Sequence, residues 1–315
     1  MPRPLFILLA LLEDCSHQAF YWLLNMSISG TVVGLVVWLL GRWSRLPRRI
    51  AHGLWLIPAL RLLLPFSFGS AFSLARLLPE KAVTYVPLLE TRALTMTNAV
   101  QYAVSYTPFA YRDERLTAVM TFAFLIWLAV LLALLTGLAI VHHASRRDLR
   151  SARELHDGVF VSACVGSPLV CGIFRPRILL PEDLAEEDLP HILTHERAHI
   201  RRLDNFWRLL AILIACLHWF NPAVWLMLRA FLREAEAACD ESVISRLDGP
   251  ERIAYATTLV NAAQSRSALA SPLGGGQLRT RIRRVLSYRR LTVLSAAAFL
   301  VLAAALAWAL LTNPA

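Results

Sequence analysis

The sequence predicts a mainly α-helical membrane protein, with four transmembrane helices carrying one α+β domain on the cytoplasmic side. Three observations predict it. Hydrophobic residues make up 57% of the 315 and charged residues only 17%, with a mean hydropathy of +0.52. A soluble globular chain carries fewer apolar and more charged residues, so this balance points to membrane segments around a modest soluble part. Four apolar stretches stand out, at Ala19–Leu40, Ile50–Phe66, Thr117–Val141 and Leu291–Leu311. Only residues 142–290 leave room for a soluble fold.

The charge supports the same division. The net charge is +10 and almost all of it is arginine, Lys81 being the only lysine. The arginines gather at 41–49, 142–150 and 281–290, beside apolar runs. There they face anionic lipid and fix topology by the positive-inside bias. Direct nucleic-acid binding is not expected, because no basic stripe with interleaved aromatics occurs. The three clusters are placed in the cytoplasm, which puts both termini and the 67–116 loop outside. The expected organisation is therefore 1–66 as an N-terminal region and transmembrane hairpin, 67–116 as an extracytoplasmic loop, and 117–141 as a third span. A cytoplasmic domain over 142–290 and a fourth span with a short tail over 291–315 complete it. This describes a multi-pass membrane protein. Five cysteines with no C-x-x-C pair argue against a disulfide framework, and Cys164 and Cys171, which could be zinc ligands, read as small buried hydrophobes.

The elements follow in order. Residues 4–12 are apolar but short, and Glu13-Asp14 follows without a small-residue cleavage site, so no signal peptide is expected. Ala19–Leu40 is long enough to span, and Gly30 and Gly34 form a small face that can receive another helix. Ile50–Phe66 is shorter and carries Pro58 and Arg61. A charge there either faces the bundle or snorkels to the outer interface. Residues 67–116 read as a loop, and Thr117–Val141 is an uninterrupted span. The pair His142-His143 points to two sides of a helix and is not expected to bind metal. Val159–Val165 and Arg177–Leu180 read as strands between glycine- and proline-marked turns. Phe206–Met227 is apolar but contains Arg208, His218, Asn221 and Pro222. It reads as a buried, membrane-apposed hairpin whose second helix is capped by Asn221.

The chemistry concentrates in His191-Ile-Leu-Thr-His195-Glu196-Arg-Ala-His199. Residues i and i+4 share a helix face, so His195 and His199 can close on one Zn²⁺ at about 2.0–2.1 Å. Glu196, beside the first ligand, is placed to hold a water as general base. A catalytic zinc takes three protein ligands and leaves one position open. Glu236 is the candidate third ligand, and Asp240 lies one turn on, where it can orient a ligand histidine. Glu234 and Glu241 face elsewhere. Asp204 either pairs with Arg201 or Arg202 at the surface or orients a ligand. His191 is too far along the axis to share the ion and reads as an entrance residue.

Four blocks, Ser167–Pro181, His195–Asp204, His218–Pro222 and Glu236–Asp240, resemble in order and spacing the BlaR/MecR-type membrane metallopeptidases. The Arg49, Trp55, Arg61 and Pro65 pattern resembles that family too. The resemblance implies a gluzincin-like α+β protease domain with His195, His199 and Glu236 on one zinc and Glu196 as base. It also implies cytoplasmic proteolysis in a signalling pathway, against a peptide or protein substrate such as a small DNA-binding repressor. The chain is expected to depart from the antibiotic receptors of the family by lacking the penicillin-binding domain that they carry after the last span. Arg177, Ile178, Leu179 and Leu180, just before the zinc helix, are expected to pair with an extended substrate by strand addition. The basic stretch Arg281–Arg290 is a candidate for self-cleavage. Assembly is left open, a homodimer included. The same chemistry would also serve membrane-protein quality control, and a zinc-bearing scaffold without catalysis is the remaining alternative.

Overall fold

The computed structural model describes residues 3–43, 47–64, 68–70, 114–150, 152–156, 158–163, 165–266, 274–288 and 312–314, with single positions at 301 and 305. The expected fourth span and most of the 67–116 loop therefore lie outside the described residues. Helix α1 (Arg3–Trp43) contains the first expected span, with an apolar window at Trp22–Gly41. The second apolar stretch is two short helices, α2 (Arg48–Leu54) and α3 (Leu56–Leu63). The break at Trp55 follows from Pro58, which donates no N–H and whose ring clashes with the carbonyl of Leu54 in a continuous helix. Arg61 is buried in α3, so it faces the bundle and does not reach outward. The short strand β1 (Phe68–Ser70) pairs in parallel with β6 (Thr312–Pro314) near the C-terminus.

Helix α4 (Glu114–Arg150) holds the apolar window Thr121–Ala144, none of which is buried. Among the described residues, α1 and α4 are the two helices long and apolar enough to cross a membrane. His142 and His143 are exposed on α4.

The Phe206–Met227 stretch forms a helical hairpin of α6 (Asp204–Leu217) and α7 (Pro222–Ile244). Helix α6 is about 21 Å long, too short for a hydrocarbon core of about 30 Å. The hairpin packs among α1, α3 and α4. Asn221 caps α7 by accepting from the Ala223 N–H at 2.9 Å. Its amide also donates to Ser27 Oγ at 2.7 Å and Thr31 Oγ1 at 2.8 Å in α1. Gly30 and Gly34 lie where α3 and α7 approach α1. A Cβ on Gly30 would come 2.5 Å from Leu62, and one on Gly34 2.5 Å from Met227. The small face thus receives neighbours from within the same chain.

The sheet has four strands in the order β2 (Arg153–His156), β3 (Val159–Val161), β5 (Arg177–Leu180), β4 (Leu169–Cys171). Strands β3 and β5 are parallel and the outer pairs antiparallel. β3 and β5 correspond to the expected strands, and β2 and β4 are additional. Gly172 closes the β4–β5 turn at φ +90, where an added Cβ would sit 2.7 Å from the Arg175 carbonyl oxygen. Val159, Ile178 and Leu180 pack on Ile192 of α5 (Leu189–Arg201), the helix of the histidine motif. Helices α8 (Gly249–Arg266) and α9 (Gly274–Leu286) close over α5 and α7 through Tyr255, Val285, Ala198 and Cys239.

Candidate metal centre

Helix α5 buries one face on the sheet and turns His195, Glu196 and His199 into the interior, each about 8–9% exposed. The two histidine rings meet edge to face, with their Nε2 atoms 3.1 Å apart. Leu203 then takes a left-handed backbone conformation, φ 56, unusual for a leucine. That tight turn brings Asp204 back under the site, where its Oδ2 lies 2.7 Å from His199 Nδ1. On α7, Glu236 reaches both rings, with Oε1 3.8 Å from His199 Nε2 and Oε2 3.8 Å from His195 Nε2. The structure thus brings together the two histidines and the carboxylate expected from the spacing.

The protons on the rings follow from their outer partners. His199 Nδ1 faces the Asp204 carboxylate, an acceptor, so Nδ1 carries the hydrogen. His195 Nδ1 lies 2.8 Å from the Tyr255 hydroxyl, which itself donates to Asp240 Oδ1 at 2.8 Å. The hydroxyl proton is committed to Asp240, so the oxygen accepts from His195 Nδ1. With Nδ1 holding a hydrogen on each ring, both Nε2 atoms turn toward each other and toward the Glu236 carboxylate. Two ring nitrogens and a carboxylate thus converge. A proton can bridge two of them, whereas a metal ion can bridge all three. Tetrahedral coordination at about 2.0–2.1 Å puts donor atoms about 3.3 Å apart, close to the observed spacing.

Cys239 also lies close to these donors. Its sulfur, however, sits 3.7 Å from His195 Nδ1 and donates to the His195 carbonyl at 3.4 Å. It is behind the ring, away from the Nε2 atoms. Burial, with the Glu236 and Asp240 charges, also pushes its thiol well above the ordinary value. Burial alone would raise the Glu236 carboxyl, but His195, His199 and Arg281 outweigh it and hold it well below the usual carboxylate range.

Asp240 acts on His195 through Tyr255, the direct approach being 3.5 Å. Arg281 of α9 clamps Asp240 with two hydrogen bonds of 2.8 Å. Asp204 is buried, so its pairing with Arg202 at 3.2 Å is not a surface salt bridge. Arg202 in turn contacts His52 Nδ1 of α2 at 3.3 Å. Glu234 pairs with Arg48, and Glu241 accepts from the Arg49 N–H at 3.0 Å, so neither faces the centre. His191 lines the cavity, 6.0 Å from the Tyr255 ring. Replacing Tyr255 with phenylalanine is expected to weaken zinc binding about 10–100-fold, measured by chelator competition, because His195 loses its acceptor.

One expectation is corrected. Arg177–Leu180 is β5, an interior strand paired on both edges, so it has no edge to offer a substrate. The neighbouring edge belongs to β4, whose Val170 and Gly172 carbonyls already accept from the Asn205 side chain at 2.9 and 3.1 Å. The stretch suggested for self-cleavage is helical as far as Leu286, with Arg281 turned inward to Asp240. Cleavage within α9 itself requires the helix to unwind, and positions 289 and 290 lie outside the described residues. Tyr255, Arg281 and Asn205 are the contributors that the sequence did not single out.

A sequence model of the BlaR1 peptidase M56 family matches residues 21–286. The chain belongs to this family. Among curated relatives it is 27% identical to the regulatory protein BlaR1 of Bacillus licheniformis over 148 residues, 45% of this chain and 24% of that one. It is 26% identical to the methicillin resistance mecR1 protein of Staphylococcus aureus over 109 residues, 33% of this chain and 19% of that one. A mecR1 protein of Staphylococcus epidermidis matches to the same extent. The matched stretch thus spans about a quarter or less of these relatives. Membership suggests a metallopeptidase, and the converging donors described above are the group suited to a metal ion.

Proposed function

We propose that this M56 peptidase is a zinc endopeptidase of the bacterial inner membrane, acting on the cytoplasmic side in signal transduction. The observation that carries this is the convergence of His195 Nε2, His199 Nε2 and the Glu236 carboxylate, with both ring tautomers set by Tyr255 and Asp204. In this reading those three side chains hold the ion, and 142–290 is the protease domain. The domain would be carried by α1, by the α2–α3 hairpin, by α4 and by a fourth span over 291–311. The arginine-rich turns place it against the inner face of the lipid. The substrate is a protein, a small DNA-binding repressor being the class that the regulatory relatives suggest.

A zinc ion held there supplies a Lewis acid for the scissile carbonyl and for a water. The chain's own residues do the rest. Glu196 takes a proton from the attacking water as the C–O bond forms, and returns it to the departing amine as the C–N bond breaks. Asp204 keeps His199 oriented, and Tyr255 does so for His195. The substrate enters a cavity of about 1000 Å³ that runs from the centre to Trp38 at the end of α1. Purified protein should cleave such a substrate with zinc present, stop on chelation and recover on adding zinc. Cleavage that survives chelation would refute the metal-dependent reading.

A further inference from the structure

Strand addition at β5 does not explain how a substrate is selected, because β5 is interior and the Asn205 side chain already bonds the Val170 and Gly172 carbonyls beside it. Selection is then left to the side chains of the cavity, and their charge is one-sided. Arg208, Arg229, Arg233, Arg281 and Arg284 line it, against Glu196, Glu234 and Glu236. A bound divalent ion would add to the excess. Arg281 is taken by Asp240, Arg208 lies 3.6 Å from Glu236, and Glu234 is taken by Arg48. Arg229, Arg233 and Arg284 remain without a hydrogen-bonded carboxylate among the described residues.

The arrangement of these three is specific. Arg229, Arg233 and Glu236 sit at i, i+4 and i+7 of α7, on one stripe. Arg229 lies about 10 Å along the axis from Glu236, about three residues of extended peptide. Arg284 approaches the same place from α9. Burial and the nearby charges of Arg48 and Arg233 lower its pKa, against the opposing pull of Glu234 and Asp240. Like charges kept together beside a reaction centre favour an anionic occupant.

We propose that the cavity selects acidic peptide segments, with Arg229, Arg233 and Arg284 receiving Asp or Glu side chains within a few residues of the bond to be cut. This rests on the peptidase reading. It gives α7 two tasks along one stripe, a carboxylate for the metal and guanidinium groups for the substrate. Arg229 and Arg233 are exposed and Arg284 half-buried, so each pair is weak, but together they should favour an acidic peptide over its neutral counterpart by about tenfold, and salt should erode the difference.

The test uses the full chain, zinc-loaded, in a neutral detergent, with Glu196→Gln to prevent turnover. Binding of a labelled Asp/Glu-rich peptide is compared with that of its Asn/Gln counterpart. The acidic peptide should bind about tenfold tighter at low salt. Arg233→Gln, at an exposed position, and Arg229→Gln should each shrink the gap while zinc content stays unchanged. Equal binding of the two peptides would overturn the proposal. So would a preference untouched by either substitution, or variants that lose co-purifying anionic lipid and keep the peptide preference. The peptidase reading fails separately, if the Glu196-bearing protein binds the acidic peptide yet never cleaves it.

Discussion

Replacing Glu196 with glutamine stops peptide hydrolysis while zinc stays bound. Glu196 is not among the three groups whose donor atoms converge, so the ion should keep His195, His199 and Glu236. Glutamine has nearly the same shape but cannot accept the water's proton. A positioned general base is worth about 10²–10⁴ in rate, and the turnover of a protein substrate should fall by that much. The check is paired: zinc content by atomic absorption and cleavage rate on the same preparation. A variant with full zinc and near-normal turnover would remove Glu196 from the mechanism and leave the scaffold alternative standing. The same variant, still able to bind, can trap its substrate for identification by mass spectrometry.

Asp204→Asn should weaken zinc binding about 10–100-fold, the usual consequence of removing a carboxylate behind a ligand histidine. The reason lies in what Asp204 holds. One oxygen fixes the His199 tautomer at 2.7 Å, and the other accepts from Arg202 at 3.2 Å. An asparagine keeps one acceptor oxygen but turns an N–H₂ toward a guanidinium or toward a ring N–H. It also leaves the half-buried Arg202 charge without its counterion, so thermal stability should fall with metal affinity. Zinc affinity within about twofold of the unsubstituted protein would contradict the assigned tautomer.

The parts legible in the sequence are those set by local geometry. The i, i+4 spacing of His195 and His199 fixes their shared face wherever the helix packs. Asn221-Pro222 is a helix start by capping chemistry alone, and the structure shows the cap. The small face at Gly30 and Gly34 was readable as a contact, but its partners Leu62 and Met227 were not, because they come from elements far along the chain. The same limit hid Tyr255 and Arg281. A tyrosine within an ordinary helix and an arginine within a basic run carry no local sign that α8 and α9 fold over His195 and Asp240. The β5 expectation failed for a related reason. A four-residue apolar strand reads the same at an edge and in the interior, and the three-residue β4 that covers it is too short to show an alternation. Pro58 was visible as an irregularity, and the split into α2 and α3 is its consequence.

The central claim is that two imidazole nitrogens and the Glu236 carboxylate hold one zinc ion. X-ray absorption at the zinc edge of the purified full chain tests it most directly. The account predicts nitrogen and oxygen neighbours at about 2.0–2.1 Å, two of them imidazoles, with the oxygen contribution altered in Glu236→Gln. A sulfur neighbour at about 2.3 Å would place Cys239 in the centre instead, and protein purified without zinc and unable to take it up would contradict the account altogether.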